Sequence, residues 1–298
     1  EDMTARDGSG LGQTVTQVSA DGLSKLVASD VDGDGIADRT ISDVTVVAAD
    51  ESRTQTVIKT SSIGSVLSRT VTTRAVDGLT GSKTIDANGD GITDQTTTVI
   101  KDAADQIIET GLKFSRDGTV LSRQITTTSA DGLSTTVEID SDGQGGLEEV
   151  QSVTKVQNAD GSATQTVERR SGDGTLLERT VSNVSADARV QQTTQDVDGD
   201  GTVDKRQSSV TVVNSDDSQI KTVEIRSGDA TLLSRQVTSI SDDRRLVETT
   251  IDQDGDGDVD SSQTVQIQID GSRLTDERTL DSSGQIISQK LTNTSANG

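Results

Sequence analysis

The chain has 298 residues and a net charge of −23, and only 29% of it is hydrophobic with alanine counted, so a thick apolar core is excluded. Phe114 is the single aromatic residue, so any core must be thin and made of Val, Ile and Leu. With no histidine or cysteine, the usual general base near neutral pH, a disulfide framework and thiol chemistry are absent, and the acidic balance speaks against nucleic acid and anionic membrane as partners.

Such a composition by itself would read as disorder. A repeat argues otherwise, because stacked units can share a narrow apolar seam. The first residues, EDMTARDGSG, are not a signal peptide, and no apolar run approaches the roughly 18 residues of a membrane span. Both ends fall inside the repeat, as expected for a slice of a longer, open array.

An acidic nonapeptide begins at Asp30, Asp86, Asp140, Asp196 and Asp252, at intervals of 56, 54, 56 and 56 residues. It divides the chain into a partial unit over 1–20 and five units over 21–76, 77–130, 131–186, 187–242 and 243–298. In the first full unit, turns are expected at the acidic loop, at Asp50-Glu51-Ser52, at Ile63-Gly64-Ser65 and at Val76-Asp77-Gly78. The segments between them are of strand length and rich in Thr, Val, Ile and Ser, as in Thr54-Gln55-Thr56-Val57-Ile58. Alternation places Leu67, Arg69 and Val71 on one face, with Ser68, Thr70 and Thr72 on the other. No segment carries helical periodicity.

From Leu11, Leu67, Leu121, Leu177 and Leu233 to the next acidic loop is always 19 residues. The other half of the unit measures 37, 35, 37, 37 and 35, the last interval ending at Ile287. A change of two residues preserves which side chains face which side of a strand, whereas a change of one would invert them. These features predict an all-β tandem array of about 56-residue, four-strand units, elongated and joined by hairpins. A parallel β-solenoid and a β-propeller are the alternatives.

Hard cations such as calcium take six to eight oxygen ligands from carboxylates and carbonyls. In the first loop Asp30, Asp32 and Asp34 stand at positions 1, 3 and 5, Gly35 permits the turn, Ile36 offers its carbonyl and Asp38 closes the set. Loop two offers Asp86, Asn88, Asp90, Ile92 and Asp94. Loop four offers Asp196, Asp198, Asp200, Thr202 and Asp204, and loop five Asp252, Asp254, Asp256, Asp258 and Asp260. The third is degraded: Asp140 and Asp142 remain, Gln144 replaces the fifth-position Asp and Glu148 the ninth, so weaker binding is expected there. Zinc and copper lack their nitrogen and sulfur ligands, and magnesium demands a stricter octahedron. The expectation is about one calcium ion per repeat.

These loops resemble the calcium loops of FG-GAP repeats, thrombospondin type 3 repeats and dockerin modules. A helical EF-hand would need Glu at position 12, where this chain has Ile41, Thr97, Gln151, Gln207 and Gln263. The whole unit resembles the tandem arrays of large secreted bacterial repeat proteins and RTX-adhesin-like surface proteins, and faintly the RHS/YD-type repeats without their tyrosines. The resemblance implies an extracellular or cell-surface, calcium-replete setting.

The recurring Arg69, Arg123, Arg179 and Arg235 are expected to pair with neighbouring acids or to lay their stems over the thin core, with a docking stripe as the other reading. Thr-x-Thr runs are expected to pair across strands, with ice binding a remote third reading. Asn183 and Asn293 open glycosylation sequons by pattern only. No single unit carries a nucleophile, base and oxyanion site of its own, so an enzyme is not expected. The functional expectation is a structural segment of an extracellular calcium-stabilised filament, stalk or adhesin shaft, with self-association into filaments or bundles. The alternative is a calcium-dependent, propeller-like ligand-binding module.

Overall fold

β-branched segments separated by tight turns form strands throughout, and no helix occurs among the described residues. The structure, a computed structural model, describes residues 2–4 and 10–296, with side chains from residue 12 onward. In chain order the strands are β1 (Asp2–Thr4), β2 (Gly10–Val18), β3 (Ser24–Asp30), β4 (Arg39–Val47), β5 (Arg53–Ser61) and β6 (Val66–Arg74). There follow β7 (Gly81–Asp86), β8 (Gln95–Lys101), β9 (Ile107–Phe114), β10 (Val120–Thr128), β11 (Ser134–Asp140) and β12 (Glu149–Gln157). The remainder are β13 (Ala163–Ser171), β14 (Leu176–Val184), β15 (Val190–Asp196), β16 (Lys205–Val213) and β17 (Gln219–Ser227). The last are β18 (Leu232–Ile240), β19 (Leu246–Asp252), β20 (Ser261–Ile267), β21 (Arg273–Leu280) and β22 (Ile286–Thr294).

Two units result, residues 1–150 and 151–298. In the first, each strand from β1 to β11 pairs antiparallel with the next in sequence. In the second the same holds from β13 to β22. The hairpin expectation is met. A parallel solenoid is ruled out by the strand direction, and propeller blades by the unbroken pairing within each unit, since blades are separate sheets.

The Leu that anchored the 19-residue spacing does not sit in a regular strand as the alternation suggested. Lys59 faces Ser68 and Thr60 faces Val66, which leaves Leu67 as the extra residue of a β-bulge. The same shift leaves out Leu121, Leu177, Leu233 and Ile287. Length variation falls in one hairpin: β4–β5 and β16–β17 have nine registered pairs, β8–β9 and β20–β21 only seven. The register moves by an even number of residues, so faces are kept.

No apolar side chain is buried among the described residues. The accessible surface is 18762 Å², against about 12,000 Å² for a compact globular protein of this mass. Cohesion therefore comes from the backbone ladder, from half-covered side chains and from turn chemistry. Hydroxyl pairs bridge strands, as in Thr73–Ser82 at 2.8 Å, Ser182–Thr193 at 3.0 Å and Thr238–Thr249 at 3.2 Å. In the turns an aspartate accepts from neighbouring hydroxyl and backbone donors. Hydrogen bonds led by Ser115 onto Asp117, and by Ser171 onto Asp173, hold both carboxyls down at about 2.

Candidate functional site

The deepest side chains in the described structure are charged. Asp86, Asp140, Asp196 and Asp252, each the first residue of an acidic loop, are only 2–9% exposed. A buried carboxylate must be hydrogen-bonded or it costs stability, and each of these is. In loop four the Gly199 N–H donates to Asp196 Oδ1 at 2.7 Å and the Gly201 N–H to Oδ2 at 2.9 Å. The same pair of bonds recurs on Asp30, Asp86, Asp140 and Asp252.

The ninth residue closes the loop from its far side. Asp38, Asp94, Asp204 and Asp260 each accept the N–H of the residue after the first aspartate at 2.6–2.7 Å. Glu148 does this in the third loop, taking the Ser141 N–H at 2.5 Å and its hydroxyl at 3.0 Å. The longer side chain therefore still spans the loop.

Positions 1, 3 and 9 converge. Asp30, Asp32 and Asp38 bring carboxylate oxygens within 4.8 Å of one another, as do Asp196, Asp198 and Asp204, and Asp252, Asp254 and Asp260. Asp140, Asp142 and Glu148 form the same group, so the degraded loop keeps its three acids together. Loop two carries Asn88 at the third position, where its Oδ1 accepts the Asp90 N–H at 2.9 Å.

Position 5 is placed differently. Asp34, Asp90, Asp200 and Asp256 accept the N–H of Ile36, Ile92, Thr202 and Asp258 and stand outside these three-acid groups. The third loop has Gln144 there, whose N–H donates to Asp142.

The donor set fits a hard divalent ion. Calcium–oxygen bonds of about 2.3–2.6 Å let two ligands on one ion lie up to about 5 Å apart. The groups contain carboxylate oxygen alone, with neither imidazole nor thiolate.

Sequence reading missed the glycine at position 4. A Cβ on Gly89, Gly143, Gly199 or Gly255 would lie 2.0–2.2 Å from the carbonyl oxygen of Val66, Val120, Leu176 or Leu232. That carbonyl belongs to the residue just before the bulge. Loop and bulge are thus in backbone contact, which gives the constant 19-residue spacing its physical reason. Its signal was a glycine at the fourth place of all five loops.

The recurring arginines lie beside the loops. Register sets Arg69 opposite Asp86, Arg123 opposite Asp140, Arg179 opposite Asp196 and Arg235 opposite Asp252. Three of the four meet acids: Arg123 pairs with Asp140, Arg179 with Glu168 and Arg235 with Glu224.

No protein-family model matches this chain, and no curated protein matches it. One similar solved structure is described as "Crystal Structure of TcdB2-TccC3 without hypervariable C-terminal region". The alignment covers 96% of this chain and 19% of that chain, at 11% identity and a TM-score of 0.16. A likeness at that score carries no argument about fold or function.

Proposed function

We propose that this chain is a structural segment of an extracellular filament, stalk or adhesin shaft whose acidic loops are braced by calcium. What carries the reading is an inversion of normal burial: among the described residues no apolar side chain is buried, while the first aspartate of four loops is. A sheet held that way needs its loops kept closed, and an ion at positions 1, 3 and 9 supplies the opposite charge. The residues that would hold it in loop four are Asp196, Asp198 and Asp204, with the matching residues elsewhere. Cation binding to the folded state alone would stabilise it by mass action. Extracellular calcium loops bind at about 10⁻⁴ to 10⁻³ M, which suits a calcium-replete exterior.

The test is small-angle scattering and thermal melting in millimolar calcium and after chelation. A stiff rod in calcium that loosens and melts earlier on chelation supports the shaft. Identical melting in both conditions sinks the calcium role. A particle near the roughly 19 Å radius of a compact chain of this length would favour a closed binding module instead.

A further inference from the structure

All five loops share their first aspartate; Gln13 faces it in the first loop, an arginine faces it in the other four, and those arginines behave differently. Across β13, β14 and β15 the register sets Glu168, Arg179 and Asp196 side by side, and across β17, β18 and β19 it sets Glu224, Arg235 and Asp252. In antiparallel sheets directly opposed residues share a face, so each arginine stands between two acids. It turns to the glutamate: Arg179 Nε is 3.3 Å from Glu168 Oε1, and Arg235 Nε is 3.6 Å from Glu224 Oε1. The glutamates are themselves fixed, because Arg170 and Arg226 each donate two bonds to the other oxygen.

At the second and third loops the place of the glutamate is taken by Ile58 and Leu112. At the third, Arg123 turns toward the loop, and its Nε lies 3.8 Å from Asp140 Oδ2. That nitrogen is buried without a hydrogen-bond partner, and Asp140 is the most buried side chain described, at 2%. The arginine here faces the loop's charge from within the chain.

Resting on the calcium reading above, we infer that Glu168 and Glu224 are positioning residues that hold Arg179 and Arg235 off loops four and five, and that Arg123 is the built-in counterion of loop three. The loops are thereby sorted: four and five stay open to a cation, and three is neutralised by its own arginine. A guanidinium released toward a bound divalent ion repels it, and at the dielectric of water across about 9 Å this weakens binding by about fivefold. Neither glutamate belongs to a three-acid group, so its effect passes through the arginine.

The experiment is calcium titration calorimetry with native mass spectrometry of the full chain, on the wild type, Glu168→Gln, Glu168→Gln with Arg179→Gln, and Arg123→Gln. Circular dichroism confirms that each variant is folded. Glu168→Gln is expected to weaken one binding event by about fivefold, and the added Arg179→Gln to restore it, since the repelling charge is then gone. Arg123→Gln is expected to tighten the weakest event. A Glu168→Gln chain with unaltered affinities, or a double variant that stays weak, overturns the inference and leaves calcium binding intact. If the wild type binds no calcium at all, the calcium reading falls and this inference with it. Should Glu168→Gln fail to fold, Arg123→Gln decides alone, and unchanged affinities in it count against the proposal.

Discussion

Replacing Asp196 by Ala removes the acceptor for two N–H groups, those of Gly199 at 2.7 Å and Gly201 at 2.9 Å. Hydrogen bonds to a charged group contribute about 1.5–3 kcal/mol each, so the loss is about 3–6 kcal/mol. An opposing effect exists, because Asp196, Asp198 and Asp204 crowd their oxygens within 4.8 Å. Removing one charge relieves two repulsions of about 0.9 kcal/mol each at the dielectric of water. The hydrogen bonds win, and a net destabilisation of about 1–4 kcal/mol is expected in calcium-free buffer. Asp198→Ala is the control: its residue is exposed and accepts one bond, from Asp200 at 3.1 Å, so a change within about 0.5 kcal/mol is expected. Because a repeat array can open locally, the assay is amide hydrogen exchange at Gly199 and Gly201, read beside urea unfolding. Equal protection of those amides in the two variants would refute the reasoning, since it would mean that the buried carboxylate does no more than the exposed one.

Gly199→Ala forces a Cβ to within 2.1 Å of the Leu176 carbonyl at a φ of +75°, and a loss of about 3–4 kcal/mol is expected. Gly201→Ala, whose Cβ meets nothing within 4 Å, should cost only the left-handed backbone penalty of about 1–2 kcal/mol, so equal urea midpoints for the two variants would contradict the bulge contact. Ala230 holds a φ of +71° at a turn position where Gly64, Gly118 and Gly174 stand in other repeats. Ala230→Gly should therefore raise stability by about 0.5–1 kcal/mol, seen as a higher urea midpoint at unchanged slope. Asp117 and Asp173 titrate at about 2 in the folded turns and near 3.9 when unfolded. Their contribution is complete above the unfolded value and is lost as pH falls from about 4 toward 2; a melting temperature that stays flat through that window would count against the turn hydrogen bonds.

The sequence determined which elements form and where they turn. β-branched segments of strand length, Asp-Gly turns and a two-residue tolerance all follow from local propensity and from the two-residue period of a strand. The convergence of positions 1 and 9 was legible for the same reason, because nine residues of one loop carry most of their own hydrogen bonds. Tertiary structure alone decided the rest. That Leu67 is a bulge, that Gly89 abuts the carbonyl of Val66, and that Arg123 meets Asp140 while Arg179 meets Glu168 all depend on cross-strand register. Register joins residues about 10 to 20 apart through backbone pairing, and no local preference encodes which partner an arginine between two acids will take. Nor does composition predict that, in a chain of net charge −23, the most buried of the described side chains are aspartates. That outcome arises because the loop backbone folds around its own carboxylate, while each face of the sheet stays open to water.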